Sequence, residues 1–313
     1  MFVGIILVLG TGVAVLLVFV VKSFIVPQKL SNIQKLISNG KYSQAIKQAK
    51  MLIVRNPRDS EARYLLGKAY LADDKSELAL MEFKAVNATA IFSKTLPETE
   101  FRKTLAKLFL KYNQPEEALK ETLLLIKLEP FQAEHYYTAG LLFEQRNNSE
   151  QALANYRKAV ETDPNHATAH ASLGLLLFKN KQMTDAKQEI AIALRLDPKN
   201  TKAQFYQGKL LRDSHDYANA LAAFEKVLRD TELKQKALIE RGCCYLEANS
   251  TEKAIVEFER AIKAGSDEAS NDTLHARYFL ASCHEKLRDI DSAIHQWEQI
   301  FNQKRSFRDV GEK

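Results

Sequence analysis

The chain has 313 residues, 46% hydrophobic and 27% charged, with 11 glycines, 7 prolines and 3 cysteines. So few glycines and prolines exclude a collagenous or low-complexity chain, and three cysteines exclude a disulfide framework. The net charge of +6 suits either a nucleic acid or an anionic membrane, and its distribution separates the two.

From Phe2 to Val21 the chain runs for twenty residues without a charge. At about 1.5 Å of rise per residue, such a run spans a hydrocarbon core of ~30 Å. A cleaved signal peptide is the rival reading, but no Lys or Arg precedes the run and bulky residues follow Lys22. Residues 1–25 are therefore expected to form an uncleaved transmembrane anchor. Residues 1–58 hold eight basic residues and no Asp or Glu, whereas 59–313 hold 37 basic against 39 acidic residues. The basic excess lies beside the apolar run, with Lys22, Lys29, Lys35 and Lys41 nearest to it. Positive flanks stay cytoplasmic, so the bulk of the chain is expected on the cytoplasmic side of a bacterial inner membrane. Contact with anionic lipid and simple solvation of helix faces both fit these lysines.

After the apolar run the dominant signal is an internal repeat. Alanines recur at Ala45, Ala79, Ala118, Ala152, Ala186, Ala220, Ala254 and Ala293, spaced by 34 residues with two spacings of 39. Twelve residues earlier stand Gly67, Gly140, Gly174, Gly208 and Gly242, with Ala106 and Ala281 in the same place. Twelve residues later stand Pro57, Pro130, Pro164 and Pro198, and four residues later Phe83, Tyr156, Ile190, Phe224, Phe258 and Trp297. Each unit carries two amphipathic stretches. The small residues predict close approach of two helices, and the large residue after each alanine is expected to fill the gap toward the next repeat. The prolines end the second helices. No unit buries its apolar face alone, so stacking must make one continuous core.

This pattern resembles the tetratricopeptide repeat (TPR) family, as in Leu173-Gly174, Ala186 and Asp197-Pro198. The resemblance covers about residues 26–307 in eight repeats: 26–59, 60–93, 99–132, 133–166, 167–200, 201–234, 235–268 and 274–307. It implies an all-α, right-handed superhelix. The first repeat has Ile33 where the others have a small residue, and five-residue insertions fall near 94–98 and 269–273. The tail 308–313 is too short for the polar closing helix usual in the family, so self-capping, a partner or further chain is expected to cover the last repeat. An anchor followed by TPRs is also similar to the lipopolysaccharide assembly protein B type. The paired CxxC motifs of that type are missing here, so its role is not implied.

Enzyme motifs are absent, with no glycine-rich phosphate loop, HExxH or G-x-S-x-G. His166 and His170 have the i, i+4 spacing of a metal pair but no third ligand nearby, and His275, His284 and His295 are scattered. No cofactor and no catalysis are expected. Cys243, Cys244 and Cys283 are expected as reduced, small apolar residues, because helix axes ~8–10 Å apart hold thiols beyond disulfide reach.

What remains is binding. The resemblance implies that the first helices of the repeats line a groove for an extended peptide or a partner helix. The outward positions there are Tyr137, Leu141, Leu175, Phe178, Lys202, Phe205, Lys209, Arg212, Lys236, Ile239 and Tyr278. Apolar anchors beside Lys202, Lys209, Arg212 and Lys236 would suit a ligand with hydrophobic and acidic groups; solvated lysines over inter-repeat packing would give the same pattern. The Lys/Asn/Arg clamp of chaperone-binding members is not matched. The expected function is a membrane-anchored scaffold for a cell-envelope complex, without nucleic acid, with self-association through the last repeat open. The alternatives are a periplasmic scaffold of a flagellar collar, pilus or secretion apparatus, and a metal-dependent or catalytic protein.

Overall fold

The computed structural model describes residues 29–89 and 91–312, and every regular element among them is helical. The apolar run, the expected anchor 1–25 and Lys22 lie outside the described residues. Among the described residues, no helix is long and apolar enough to cross a membrane. Two units are distinguished, residues 1–130 and 131–313. The first contains α1 (residues 29–38), α2 (Tyr42–Arg55), α3 (Ser60–Ala72), α4 (Ser76–Thr89), α5 (Glu98–Lys111) and α6 (Pro115–Leu128). The second contains α7 (Ala133–Gln145), α8 (Ser149–Thr162), α9 (Ala167–Lys179), α10 (Met183–Leu196), α11 (Thr201–Asp213) and α12 (Tyr217–Val227). It continues with α13 (Lys234–Glu247), α14 (Thr251–Ala264), α15 (Asn271–Lys286), α16 (Ile290–Gln303) and a single 3₁₀ turn at Val310–Glu312.

Each odd-numbered helix turns into the following even-numbered one through the same backbone device. Five residues before each repeat alanine the chain enters the left-handed region, at Gly40, Asp74, Asn113, Asn147, Lys181, His215, Asn249 and Arg288, with φ of 51–72°. The N–H of the next residue then donates to a carbonyl five positions back, as in Lys75 to Tyr70 at 2.8 Å and Gln182 to Leu177 at 3.0 Å. This Schellman-type closure satisfies the last carbonyls of the first helix and reverses the chain in two or three residues. Asn148, Asp216 and Asp289 then cap the second helices, each accepting from the N–H three residues on.

The small residues act through close approach. A Cβ built on Gly208 would lie 2.6–2.8 Å from three ring carbons of Phe224, and one on Gly140 would lie 2.5 Å from the Tyr156 ring. In the five repeats with a glycine there, the large residue after the alanine thus sits on the glycine of its own repeat, besides filling the gap toward the next one. Reaching the next repeat is a second role: Phe83 meets Phe101 edge-on at 5.7 Å, and Phe258 stacks on Phe279 at 5.4 Å. In the first repeat the sizes exchange places. Ile33 occupies the glycine position and Ala49 the aromatic position, and both are fully buried.

A polar clasp recurs inside the repeats. A first-helix residue bonds a second-helix residue nineteen positions later in Arg63–Glu82 (2.8 Å), Arg102–Glu121 (2.7 Å), His170–Glu189 (2.6 Å) and Arg277–Gln296 (3.0 Å). At the same helix position, Arg63, His170 and Gln204 also contact the carbonyls of Pro57, Pro164 and Pro198. The linker proline therefore ends one helix and leaves a carbonyl that orients the next.

Both insertions have structure. Near 94–98 the chain loops, burying Leu96, while Ser93 Oγ accepts from the N–H groups of Thr95 and Leu96 at 3.2 Å. Near 269–273 the added residues extend α15 to 16 residues, capped by Ser270. The tail is not idle. Phe307 and Val310 are 6% and 4% exposed and pack with Leu274, Trp297 and Ile300. Val310 falls at the repeat offset of the buried Ala203, Ala237 and Ala276, so the tail stands where a further first helix would begin.

Candidate functional site

Within 131–313, α9 touches α11, α11 touches α13, and α13 touches α15, while no pair of second helices makes comparable contact. The repeats close up on the side of the first helices, which makes that side the inner face of this unit. Helix geometry puts residues three and four apart on one stripe, and the most elaborate stripe is on α11.

There Phe205, Lys209 and Arg212 line up beside Phe178 of α9. The Lys209 ammonium lies 5.6 Å from the Phe178 ring centroid and 5.9 Å from that of Phe205. Tyr206 meets the Phe178 ring edge-on at 5.3 Å. From α13, Glu240 accepts from Lys209 at 3.2 Å and from Arg212. Glu247 lies 3.8 Å from the Arg212 Nε, and Asp213 lies 3.3 Å from another guanidinium nitrogen. Burial works against the Arg212 charge, and Glu240 with Glu247 and Asp213 outweighs it, so the guanidinium holds its proton more tightly than usual.

The expected cluster of available cations is therefore corrected. Lys209 and Arg212 share Glu240, and Lys236 lies 3.9 Å from Asp272. Lys202 stands beside Asp230, whose carboxyl is held below its usual range by the Thr201 hydroxyl and two backbone N–H groups, with Lys202 adding to them. The face offers apolar surface ringed by compensated charge. An acidic ligand would have to displace carboxylates already seated.

The other sequence-selected positions are spread along the same helices. Tyr137 packs on Tyr156 at 6.0 Å and on His166 at 5.1 Å, and Leu141 lies against the Tyr156 cluster. Leu175 is half-buried, and Ile239 bridges two core clusters. Tyr278 is engaged by the tail: its hydroxyl donates to Asp309 at 2.8 Å, and the Arg308 guanidinium stacks 4.4 Å above its ring. Sequence reasoning missed Tyr206 and Glu240. They share one repeat offset, 34 residues apart, and that register was the available signal.

The histidines have structural partners. His166 Nδ1 accepts from the Ala169 N–H and its Nε2 lies 3.1 Å from Glu134, while His170 belongs to the clasp. Among the described residues, no group of three or more His, Cys, Asp or Glu is placed to hold a metal ion. All three cysteines are free and buried. Burial pushes the Cys243 and Cys244 thiols up to about 12 and the Cys283 thiol up to about 11, which keeps them protonated and unreactive at neutral pH.

The tetratricopeptide repeat family matches at residues 33–87, 137–201 and 205–272, more than half of the chain. The chain belongs to the tetratricopeptide repeat family. TPR proteins are typically non-catalytic scaffolds that bind peptides. Among solved structures, PilF of Pseudomonas aeruginosa is similar at 18% identity and a TM-score of 0.57, over 69% of this chain and 96% of that one. A TPR protein of Parabacteroides merdae is similar at 13% identity and a TM-score of 0.56, over 81% and 96%. YrrB, described as a TPR protein with an unusual peptide-binding site, is similar at 20% identity and a TM-score of 0.50, over 61% and 96%. These likenesses show a shared TPR fold. Comparison with curated proteins gives no match.

Proposed function

We propose that this TPR protein is a membrane-anchored scaffold that holds a protein segment on the inner face of its repeats and so assembles or regulates a cell-envelope complex. The observation that carries the binding reading is the α9–α11–α13 stripe, where partly buried Phe178 and Tyr206 lie beside Lys209, Arg212 and Glu240. Both rings also pack against core clusters, and their partly exposed edges beside paired charges give a binding face an apolar anchor and a polar rim. The segment best suited is an extended peptide or helix with an apolar side chain over Phe178 and polar groups that share the Glu240 network. The apolar run Phe2–Val21 and the acid-free stretch that follows support the anchor and a cytoplasmic array.

The test is affinity capture from detergent-solubilised membranes. Phe178→Ala combined with Leu175→Ser should remove a co-purifying protein while helical content, read by circular dichroism, stays the same. Unchanged capture by a folded variant would refute the inner-face reading. A reporter fused after Lys313 that is active only outside the cytoplasm would reverse the orientation.

A further inference from the structure

One surface lies apart from the inner face. Along α2 and the turn after it, Lys47, Lys50, Met51, Val54, Arg55 and Arg58 follow the i, i+3, i+4, i+7, i+8, i+11 pattern of a single stripe. All six are exposed, Met51 at 51% and Val54 at 81%. The buried face of the same helix carries Ala45 and Ala49, so the core does not claim the outer apolar pair. No acidic residue occurs before Asp59, and none of these cations pairs with a carboxylate among the described residues. Elsewhere the lysines and arginines are commonly paired, as Arg102, Arg212 and Arg241 are.

A cleft adjoins the stripe. It encloses about 270 Å³ between α1 and α2, with Ile33, Met51 and Leu52 as apolar lining and the cations Lys29 and Arg55 at its sides. Gln48 also lines it, held by the Asn32 amide at 2.9 Å, and a part-apolar cleft flanked by two cations with no carboxylate partner among the described residues matches a molecule that joins hydrocarbon to a phosphate. Three more cations in a row, Lys47, Lys50 and Arg58, match a plane of such molecules rather than one.

We infer that the outer face of α2 seats on an anionic phospholipid bilayer, with Met51 and Val54 entering the headgroup region and the flanking cations pairing with lipid phosphates. This deepens the membrane reading above, and rests on it for bringing a bilayer close to Lys29. Charge complementarity selects the occupant: an acid-free stretch that follows a twenty-residue apolar run in the sequence suits anionic lipid headgroups. Seating α2 on the bilayer would fix how the first repeat stands on the membrane.

The experiment uses the full chain with Val54→Cys carrying an environment-sensitive fluorophore, since the three native cysteines are buried. Vesicles of neutral phosphatidylcholine are compared with vesicles containing about a third phosphatidylglycerol. The expected result is a blue shift with anionic vesicles only, reversed by high salt. It should disappear in Lys47→Glu/Lys50→Glu/Arg55→Glu/Arg58→Glu, because each basic residue near the surface is worth roughly fivefold in affinity. Equal spectra in both lipids, a shift that survives charge reversal, or a shift with a DNA oligonucleotide and not with vesicles would each overturn the inference. Flotation with neutral vesicles reads the anchor separately. A chain that floats in neutral lipid but keeps its label in water with anionic lipid refutes the α2 seat and leaves the anchor intact. A chain that does not float in neutral lipid but shifts in anionic lipid refutes the anchor and keeps the seat.

Discussion

Gly208→Ala tests whether the repeat is built on close helix approach. The new Cβ would lie 2.6, 2.7 and 2.8 Å from ring carbons of Phe224, where carbon atoms settle about 3.5–4.0 Å apart. Phe224 is fully buried, so its ring cannot swing into solvent, and α11 and α12 must part instead. Overpacking of this kind costs about 1–3 kcal/mol. Alanine returns about 1 kcal/mol of helix propensity, which leaves a net loss of up to about 2 kcal/mol. Hydrogen exchange read by mass spectrometry on α11 and α12, together with the urea midpoint, should show weaker protection centred on this repeat. Adding Phe224→Leu should restore part of the loss, giving a favourable coupling of about 1 kcal/mol between two changes that are each destabilising alone. Gly40→Ala is the control. It meets nothing within 4 Å but carries φ +72°, so its cost comes from the backbone alone and no distant truncation rescues it. A clearly stabilising Gly208→Ala, or no coupling to Phe224→Leu, would refute the close-approach account.

Arg102→Leu should cost about 3–5 kcal/mol, because the Glu121 carboxylate, 5% exposed, loses its cation and keeps only the Asn87 amide; Arg102→Leu with Glu121→Leu should recover most of that in thermal melts. Lys181→Gly and Arg288→Gly, both exposed and held at φ of 61° and 62°, should each raise stability by about 0.5–1 kcal/mol in urea unfolding, since relief of left-handed strain exceeds the added chain entropy. His275 is held below its ordinary pKa by burial and then by Arg308, with Lys304 adding to it and Asp272 opposing. The unfolded chain therefore takes up this proton first, at pH about 6.5. Stability from this group is complete above that pH and falls as pH drops below it, and His275→Gln should flatten the urea midpoint between pH 7 and 5. Glu240→Gln removes the shared partner of Lys209 and Arg212, so a fluorescent acidic peptide should bind the inner face roughly tenfold tighter than it binds the parent, an effect lost at high salt.

Much of this was legible before any coordinates. The register of alanines, glycines and prolines is a statement about volume and backbone freedom at fixed positions, and volume at a helix crossing is a local property of residue type. The aromatic after each alanine was read only halfway, because its contact with the glycine of its own repeat depends on rotamer and helix rotation. The turn residues escaped notice altogether. Gly, Asp, Asn, Lys, His and Arg share the left-handed position, and no composition rule unites them, since the Schellman closure imposes the backbone there and the side chain only tolerates it. The pairing of the groove lysines is illegible in the sequence for a different reason. Lys209 and Glu240 are 31 residues apart on separate helices, so their pairing follows from how α11 and α13 stack.

The net charge of +6 divides in the same way. Its placement before residue 59, the all-helical repeat and membership of the TPR family follow from residue order alone, because periodicity and charge segregation are properties of a string. Which of those charges are neutralised is a matter of distances between helices distant in sequence. The tertiary structure pairs Lys209, Arg212 and Lys236 with carboxylates and gives the α2 cations none among the described residues, because electrostatic energy depends on separation and burial in space and not on position in the chain.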